Sequence, residues 1–268
     1  MRINTNLNAM IATNQMSKNT ALAGSSMEKL STGLRITKAG DDAAGLAVSE
    51  KMRAQIRGME QAERNVQDGI SMVQTAEGAL EEAGNIAQRM RELGVQAGND
   101  TLSDEDRNKV KEELTQLQDE MKKISEETKF NGKKLLNTAG TFTIQAGANS
   151  ETRTITTANL SSIANGLSTI TISSSAQAQS FVENVDKALT SINDARSALG
   201  AMQNRLEYTA NNLTTSTENL TAAESRIRDV DVAKEMVTLS KLNILNQASQ
   251  AMVSQAKQQP ESVSQLLR

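Results

Sequence analysis

The chain has 268 residues, of which 37% are hydrophobic and 1% aromatic, and its formal net charge is -3. Such a composition excludes an interior filled by large rings, since Phe130, Phe142, Phe181 and Tyr208 are the only aromatic side chains, and it excludes a basic field for nucleic acid. With no cysteine and no histidine, disulfides, thiolate nucleophiles, imidazole bases and the usual zinc ligands are excluded together, so no catalytic residue, cofactor or metal site is expected.

Residues 1–27 carry only Arg2 and Lys18 as charged side chains. Leu7, Met10, Ile11, Met16 and Leu22 give this stretch the pattern of an uncharged amphipathic helix. The opening lacks the apolar core of a secretory signal, and no run in the chain is long and apolar enough to span a membrane.

In "KAGDDAAGLAVSE" the paired carboxylates Asp41 and Asp42 raise the question of acid–base or metal chemistry. A helix start explains them better: Gly40 makes the turn, and Asp42 caps a helix beginning near Ala43. That helix shows a seam through Met59, Val66, Ile70, Val73, Leu80, Ala83, Met90 and Leu93. A second seam, at Val110, Leu114, Leu117, Met121 and Ile124, alternates steps of four and three with a charged opposite face. Asn131 and Gly132 in "KFNGKKLLN" then stop the helix.

From Phe142 to Ile172 the chain is rich in Thr, Ser and Ile. Period-two alternation at Phe142 and Ile144, and at Ile170 and Ile172, predicts short strands, with a tight turn at Gly147 and Asn149. A third seam runs from Val182 through Leu189, Leu199, Leu206, Leu213 and Leu220 to Ile227. It continues as Val232, Met236, Leu239, Leu242, Leu245, Ala248, Met252 and Ala256, and if unbroken toward Pro260 it would span on the order of 80 residues, about 120 Å. The fold class expected is mainly α: an elongated antiparallel helical bundle or coiled coil formed by the N- and C-terminal regions, with a small β-hairpin region in the middle. Both ends are apolar on one face and nearly free of charge, so each is expected to fold only on assembly with partners.

Four stretches carry a resemblance to bacterial flagellin: "MRINTNLNAMIATNQMSKN", "LSTGLRITKAGDDAAGLAVSEKMRAQIRGMEQAERNVQDGISMVQTAEGALEE", "FNGKKLL" and "SQAKQQPESVSQLLR". What the resemblance implies is a subunit that self-assembles into the flagellar filament, in a minimal form without large outer domains. Residues 1–40 and 233–268 would be the two halves of a filament-core coiled coil, 41–137 and 179–232 the helices of a rod domain, and 138–178 a short β and turn region. The core contacts would fall on Leu7, Met10, Ile11, Leu22, Leu239, Leu242, Leu245, Met252, Leu266 and Leu267. Gly40, Asp41 and Asp42 would lie where neighbouring subunits touch.

The resemblance further implies secretion through the hollow flagellum by type III export, and an extracellular location. The partners implied are copies of the chain itself, a filament cap, a hook-filament junction protein and an export chaperone. The chaperone would hold Leu242, Leu245, Met252, Val253, Val263 and Leu266. Toll-like receptor 5 of a host would bind at Gln88, Arg89, Leu93, Gln96 and Glu113, although the charge pattern there is also that of an ordinary solvated helix. Cytosolic inflammasome receptors would sense Val263, Leu266 and Leu267. The hook-filament junction protein is the alternative identity, since it shares similar ends. A helical signalling receptor would need a membrane span, and a protease in the middle of the chain would need a His-Glu metal motif, which the chain lacks.

Overall fold

The structure, a computed structural model, describes residues 6–266, with side chains described for residues 6–258. Its elements in chain order are α1 (Leu7–Thr32), α2 (Ala43–Ala97), α3 (Asp104–Glu127), β1 (Lys129–Phe130), β2 (Lys133–Lys134), β3 (Thr141–Gln145), β4 (Thr152–Thr156), α4 (Leu160–Gly166), α5 (Ser175–Arg228) and α6 (Val232–Leu266). These form two compact units, one of Met1–Ala54 with Asn219–Arg268 and the other of Gln55–Glu218.

In the first unit α1 and α6 pair along their length. Asn6 caps α1 by accepting from the Ala9 N–H at 3.0 Å, and Gly33 ends it in the left-handed region, φ 71°. The long third helix expected from the sequence is interrupted: α5 ends at Arg228 and α6 starts at Val232, continuing past Pro260. Periodicity persists across the break, which is why pattern alone missed it. Backbone pairing explains it. Leu34 forms an antiparallel bridge with Asp229, the Val230 N–H donates to the Gly33 carbonyl at 3.0 Å, and the Arg35 N–H donates to the Arg228 carbonyl at 2.6 Å. Glu50 receives the Arg228 guanidinium, and Arg53 reaches Glu224 at 3.4 Å.

In the second unit α2 and α5 approach closely: Phe181 and Val182 crowd Gly94, and Ile192 lies over Gly84. The α2 seam is buried at Met59, Val66, Val73, Leu80, Ala83, Met90 and Leu93. On α3 the buried positions are Val110, Leu114, Gln118, Met121 and Ser125, whereas the expected Leu117 and Ile124 are half-buried. The two polar residues are inside because carbonyls need them: Gln118 donates to Ala164 O at 3.1 Å and Ser125 to Leu136 O at 3.1 Å.

The expected stop at Asn131 and Gly132 is a two-residue hairpin turn with both residues at positive φ, 47° and 77°. It joins β1 to β2 and leads to the buried Leu135 and Leu136. β3 and β4 pair antiparallel, Phe142 opposite Ile155, and Gly147 and Asn149 lie in their connection, which spans residues 146–151 and is longer than the tight turn expected. Ile170 and Ile172 are buried but form no strand, a correction to the sequence reading: the alternation there places side chains inward without a partner strand. Leu160–Gly166, also read as strand or turn, is a short helix capped by Asn159, whose side-chain Oδ1 accepts from the Ser162 N–H at 2.9 Å.

The hairpin connection lies so close to α2 that a Cβ built on Gly58 would stand 2.9 Å from the Ala148 Cβ and 3.1 Å from its Cα. Gly78, in the same helix, has no neighbour within 4 Å of that point. Alanine favours a helix interior by about 1 kcal/mol over glycine, while overpacking costs about 1–3 kcal/mol. Gly78→Ala should therefore raise the urea midpoint by the equivalent of roughly 0.5–1 kcal/mol. Gly58→Ala should lower it and speed amide exchange over residues 141–156, and equal exchange in the two variants would refute the close approach.

Candidate assembly interface

The pairing of α1 with α6 is unusual in what it covers. The α1 face with least exposure is Ala12, Met16, Asn19, Ala23, Ser26 and Leu30, and on α6 it is Leu239, Leu242, Asn246, Ser249, Val253 and Ala256. Both follow alternating steps of three and four, a coiled-coil seam. It mixes Met16, Leu30, Leu239, Leu242 and Val253 with small and polar side chains: Asn19 and Ser26 are buried, and Thr20 Oγ1 donates to Asn246 Oδ1 at 3.4 Å. Many other large apolar residues point outward. Leu7 is 61% exposed and Met252 66%, and Met10, Ile11, Leu22, Val237, Ile244 and Leu245 are exposed as well.

This corrects the α6 seam read from sequence. Of its members Leu239, Leu242 and Ala256 turn inward, while Val232, Met236, Leu245, Ala248 and Met252 are exposed. Reading by hydrophobicity followed the stripe of large residues, but the helix pair is closed by the adjacent stripe, which contains Asn246 and Ser249. The core-contact residues expected from the resemblance thus divide in two. Leu7, Met10, Ile11, Leu22, Leu245 and Met252 form an outward apolar surface, and Leu239 and Leu242 hold the pair itself. An apolar groove of about 440 Å³ between the helices is lined by Ile11, Ala12, Leu245, Ala248 and Met252, with Asn19 at its floor. The side chains of Val263 and Leu266, and all of Leu267, lie outside the described residues. Val253, expected to meet a chaperone, is half-buried against α1.

Contiguous exposed apolar surface marks a site for other molecules. Charge is nearly missing from it: between Leu7 and Met27 only Lys18 is charged, and between Leu242 and Met252 no residue is. Such a surface can be buried without leaving an ion unpaired.

The segment before α2 is built by two carboxylates with separate tasks. The Asp42 side chain accepts from the Gly45 N–H at 2.8 Å, capping α2 as expected. Asp41 accepts from the backbone N–H groups of Thr37 and Lys38 and from the Thr37 hydroxyl, at 3.0–3.1 Å. Those donors, led by the Lys38 N–H, hold its carboxyl below the usual aspartate range. Gly40 is exposed in the turn. Neither carboxylate belongs to a metal-binding cluster, and none occurs among the described residues.

On the second unit, Gln88, Arg89, Gln96 and Glu113 are exposed. Arg89 joins α2 to α3, donating to Glu113 at 3.0 Å, and also reaches Glu92 at 3.0 Å. Leu93 does not share that surface: it is 2% exposed and faces the core, so it supports the helix rather than offering a contact. Its correction follows from its seam position, since one side chain cannot serve both faces of a helix. Val95, 58% exposed, is the apolar residue that this stretch presents, and nothing in the sequence pattern singled it out.

Comparison with known proteins matches two family models, the bacterial flagellin N-terminal helical region over residues 3–141 and the bacterial flagellin C-terminal helical region over residues 182–267. The chain is 54% identical to a flagellin of Halalkalibacterium halodurans over 272 aligned positions and 48% identical to a flagellin of Bacillus subtilis over 306, each alignment covering 100% of both chains. It is 44% identical to the flagellar filament 33 kDa core protein of Treponema phagedenis, again over 100% of both. Among solved structures it is similar to the crystal structure of Bacillus cereus flagellin, with TM-score 0.52 and 35% identity, covering 60% of this chain and 94% of that one. A putative flagellar hook-associated protein of Vibrio parahaemolyticus shares the fold at TM-score 0.60 and 12% identity, covering 70% of this chain and 100% of that one.

Proposed function

The chain belongs to the bacterial flagellin family, and from that premise we propose how this subunit assembles, leaves the cell and meets its partners. It is a structural subunit of the extracellular flagellar filament and polymerises with itself, as its family does. No helix among its described residues is long and apolar enough to cross a membrane.

The observation that carries the assembly reading is the outward placement of Leu7, Met10, Ile11, Leu22, Leu245 and Met252 around the α1–α6 seam. Residues 1–40 and 233–268 are the filament-core pair, 41–137 and 179–232 the rod, and 138–178 a short outer element. Copies of the same pair cover the apolar faces, and swimming motility follows from rotation of the resulting polymer. Purified chain alone, seeded with filament fragments, should elongate into long filaments seen by electron microscopy. Growth that stops after a few subunits would favour the hook-filament junction role.

Before assembly the same faces need cover. An export chaperone meets that need by holding Leu242, Leu245, Met252 and Val253 in the unpaired chain, and type III export through the growing flagellum delivers the subunit beneath its cap. Folding of the two ends is completed on assembly.

The exposed set Gln88, Arg89, Gln96 and Glu113 fits recognition by Toll-like receptor 5. Gly40 and Asp41 fit a contact between neighbouring subunits. Arg89 and Glu113 are about half exposed, so solvent screens their ion pair and it adds little to stability. Arg89→Ala should keep the melting temperature within about 2 °C while lowering receptor signalling at least about tenfold, a loss near 1.4 kcal/mol. It should also slow elongation. Unchanged signalling and elongation would remove this surface from both roles.

A further inference from the structure

The polar side chains inside the α1–α6 seam have no part in covering apolar surface, and a seam of alanine and leucine would hold the pair more tightly. Asn19, 3% exposed, accepts from the Gln15 amide at 3.3 Å. It shares its groove with Ser249. Asn246 is met by Thr20, the neighbour of Asn19. At the far end of the pair the Asn6 amide donates to the Ala256 carbonyl at 2.6 Å.

A heptad seam repeats every seven residues, so two helices can slip by seven and again place seam against seam. Ala12, Ala23 and Ser26 offer little shape to resist that, and the flexible Met16 adapts to either alignment. The residues seven positions either side of Asn246 are Leu239 and Val253, and those either side of Ser249 are Leu242 and Ala256. Slippage in either direction therefore moves the buried Asn19 amide from polar neighbours on α6 to apolar ones, while its bond to Gln15 lies within α1 and does not compensate.

We propose that Asn19, together with Asn246 and Ser249, fixes the register of the terminal helix pair in the assembled filament. The inference rests on the reading of this pair as the filament core and adds the residues that set its alignment. The polar layer is a positioning device: it weakens the seam and admits one alignment. One alignment gives every subunit the same outward arrangement of Leu7, Ile11, Leu245 and Met252, which a repeating lattice requires.

Because the chain contains no cysteine, introduced pairs report register without interference. Ala12→Cys with Met252→Cys, which line one groove, reports the native alignment. Ala12→Cys with Gln259→Cys, seven positions further along α6, reports a slip of seven. Both pairs are placed in the full-length chain and in the Asn19→Leu chain, grown from wild-type seeds and oxidised, and intrachain cross-links are resolved by electrophoresis. With Asn19 only the native pair closes. With Asn19→Leu the slipped pair closes at a rate within about tenfold of the native one, since a leucine layer accepts either alignment.

Native closure alone in elongating Asn19→Leu filaments overturns the proposal. If Asn19→Leu does not elongate, Asn19→Ser, which keeps a polar group, should elongate and close only the native pair. Closure of the slipped pair in Asn19→Ser, or its failure to elongate, also overturns the proposal. Failure of the wild-type chain to elongate overturns the filament reading instead, so the two are separable.

Discussion

A chain lacking residues 1–30 and 243–268 should fail to elongate filaments at any concentration at which the full-length chain does, while keeping a folded helical body. The deletion removes Leu7, Met10, Ile11 and Leu22 on one side and Ile244, Leu245 and Met252 on the other, all exposed. Each such side chain gains roughly 1.5–3 kcal/mol when fully buried, and several are buried per subunit, so their loss outweighs any contact left elsewhere. The second unit keeps its own core, with Leu80, Met90, Leu114, Met121, Leu135, Leu136 and Ile155 fully buried. Electron microscopy of seeded mixtures and circular dichroism of the truncated chain read the two halves of the expectation. Filaments from the truncated chain would show that assembly is carried by another surface.

The double substitution Ile11→Glu with Met252→Glu should abolish elongation without deleting anything. Both residues line the groove between α1 and α6 and are exposed in the single chain, so a carboxylate at each remains in water until a neighbouring copy approaches. Thermal stability should then change by no more than about 0.5 kcal/mol, as at ordinary surface positions. In the polymer the same carboxylates lose their hydration without a partner, for none of the residues lining the groove is a cation. A rise of more than about 100-fold in critical concentration, near 2.7 kcal/mol, is expected. Normal growth of the double variant would mean that this groove faces solvent in the polymer.

Much of this architecture was legible because long helices announce themselves by period. The α2 seam from Met59 to Leu93 and the Asp42 cap appear where the pattern puts them. Four features were not legible, each for a physical reason. The break after Arg228 leaves the hydrophobic period intact, and only backbone pairing with Gly33 and Leu34 reveals it. The inner seam of α1 and α6 is the less hydrophobic of two neighbouring stripes, so a search for apolar residues chose the outer one. Leu93 was assigned to the seam and to a binding surface at once, a conflict that burial decides. Gln118 and Ser125 lie at seam positions because two carbonyls distant in sequence require donors, and a helical pattern carries no record of them.

The bond between Asn6 and Ala256 joins positions 250 apart in the chain, and the bridge between Leu34 and Asp229 joins positions 195 apart. Contacts of such separation are late events, because loop closure must precede any gain from them. A chain that emerges N-terminus first presents α1 to its surroundings for as long as the residues after Val232 are still being made. During that interval α1 has no mate within its own molecule, and its waiting time is set by the length of everything between. The subunit thus carries a built-in delay: its two ends can close only after the rest has arrived.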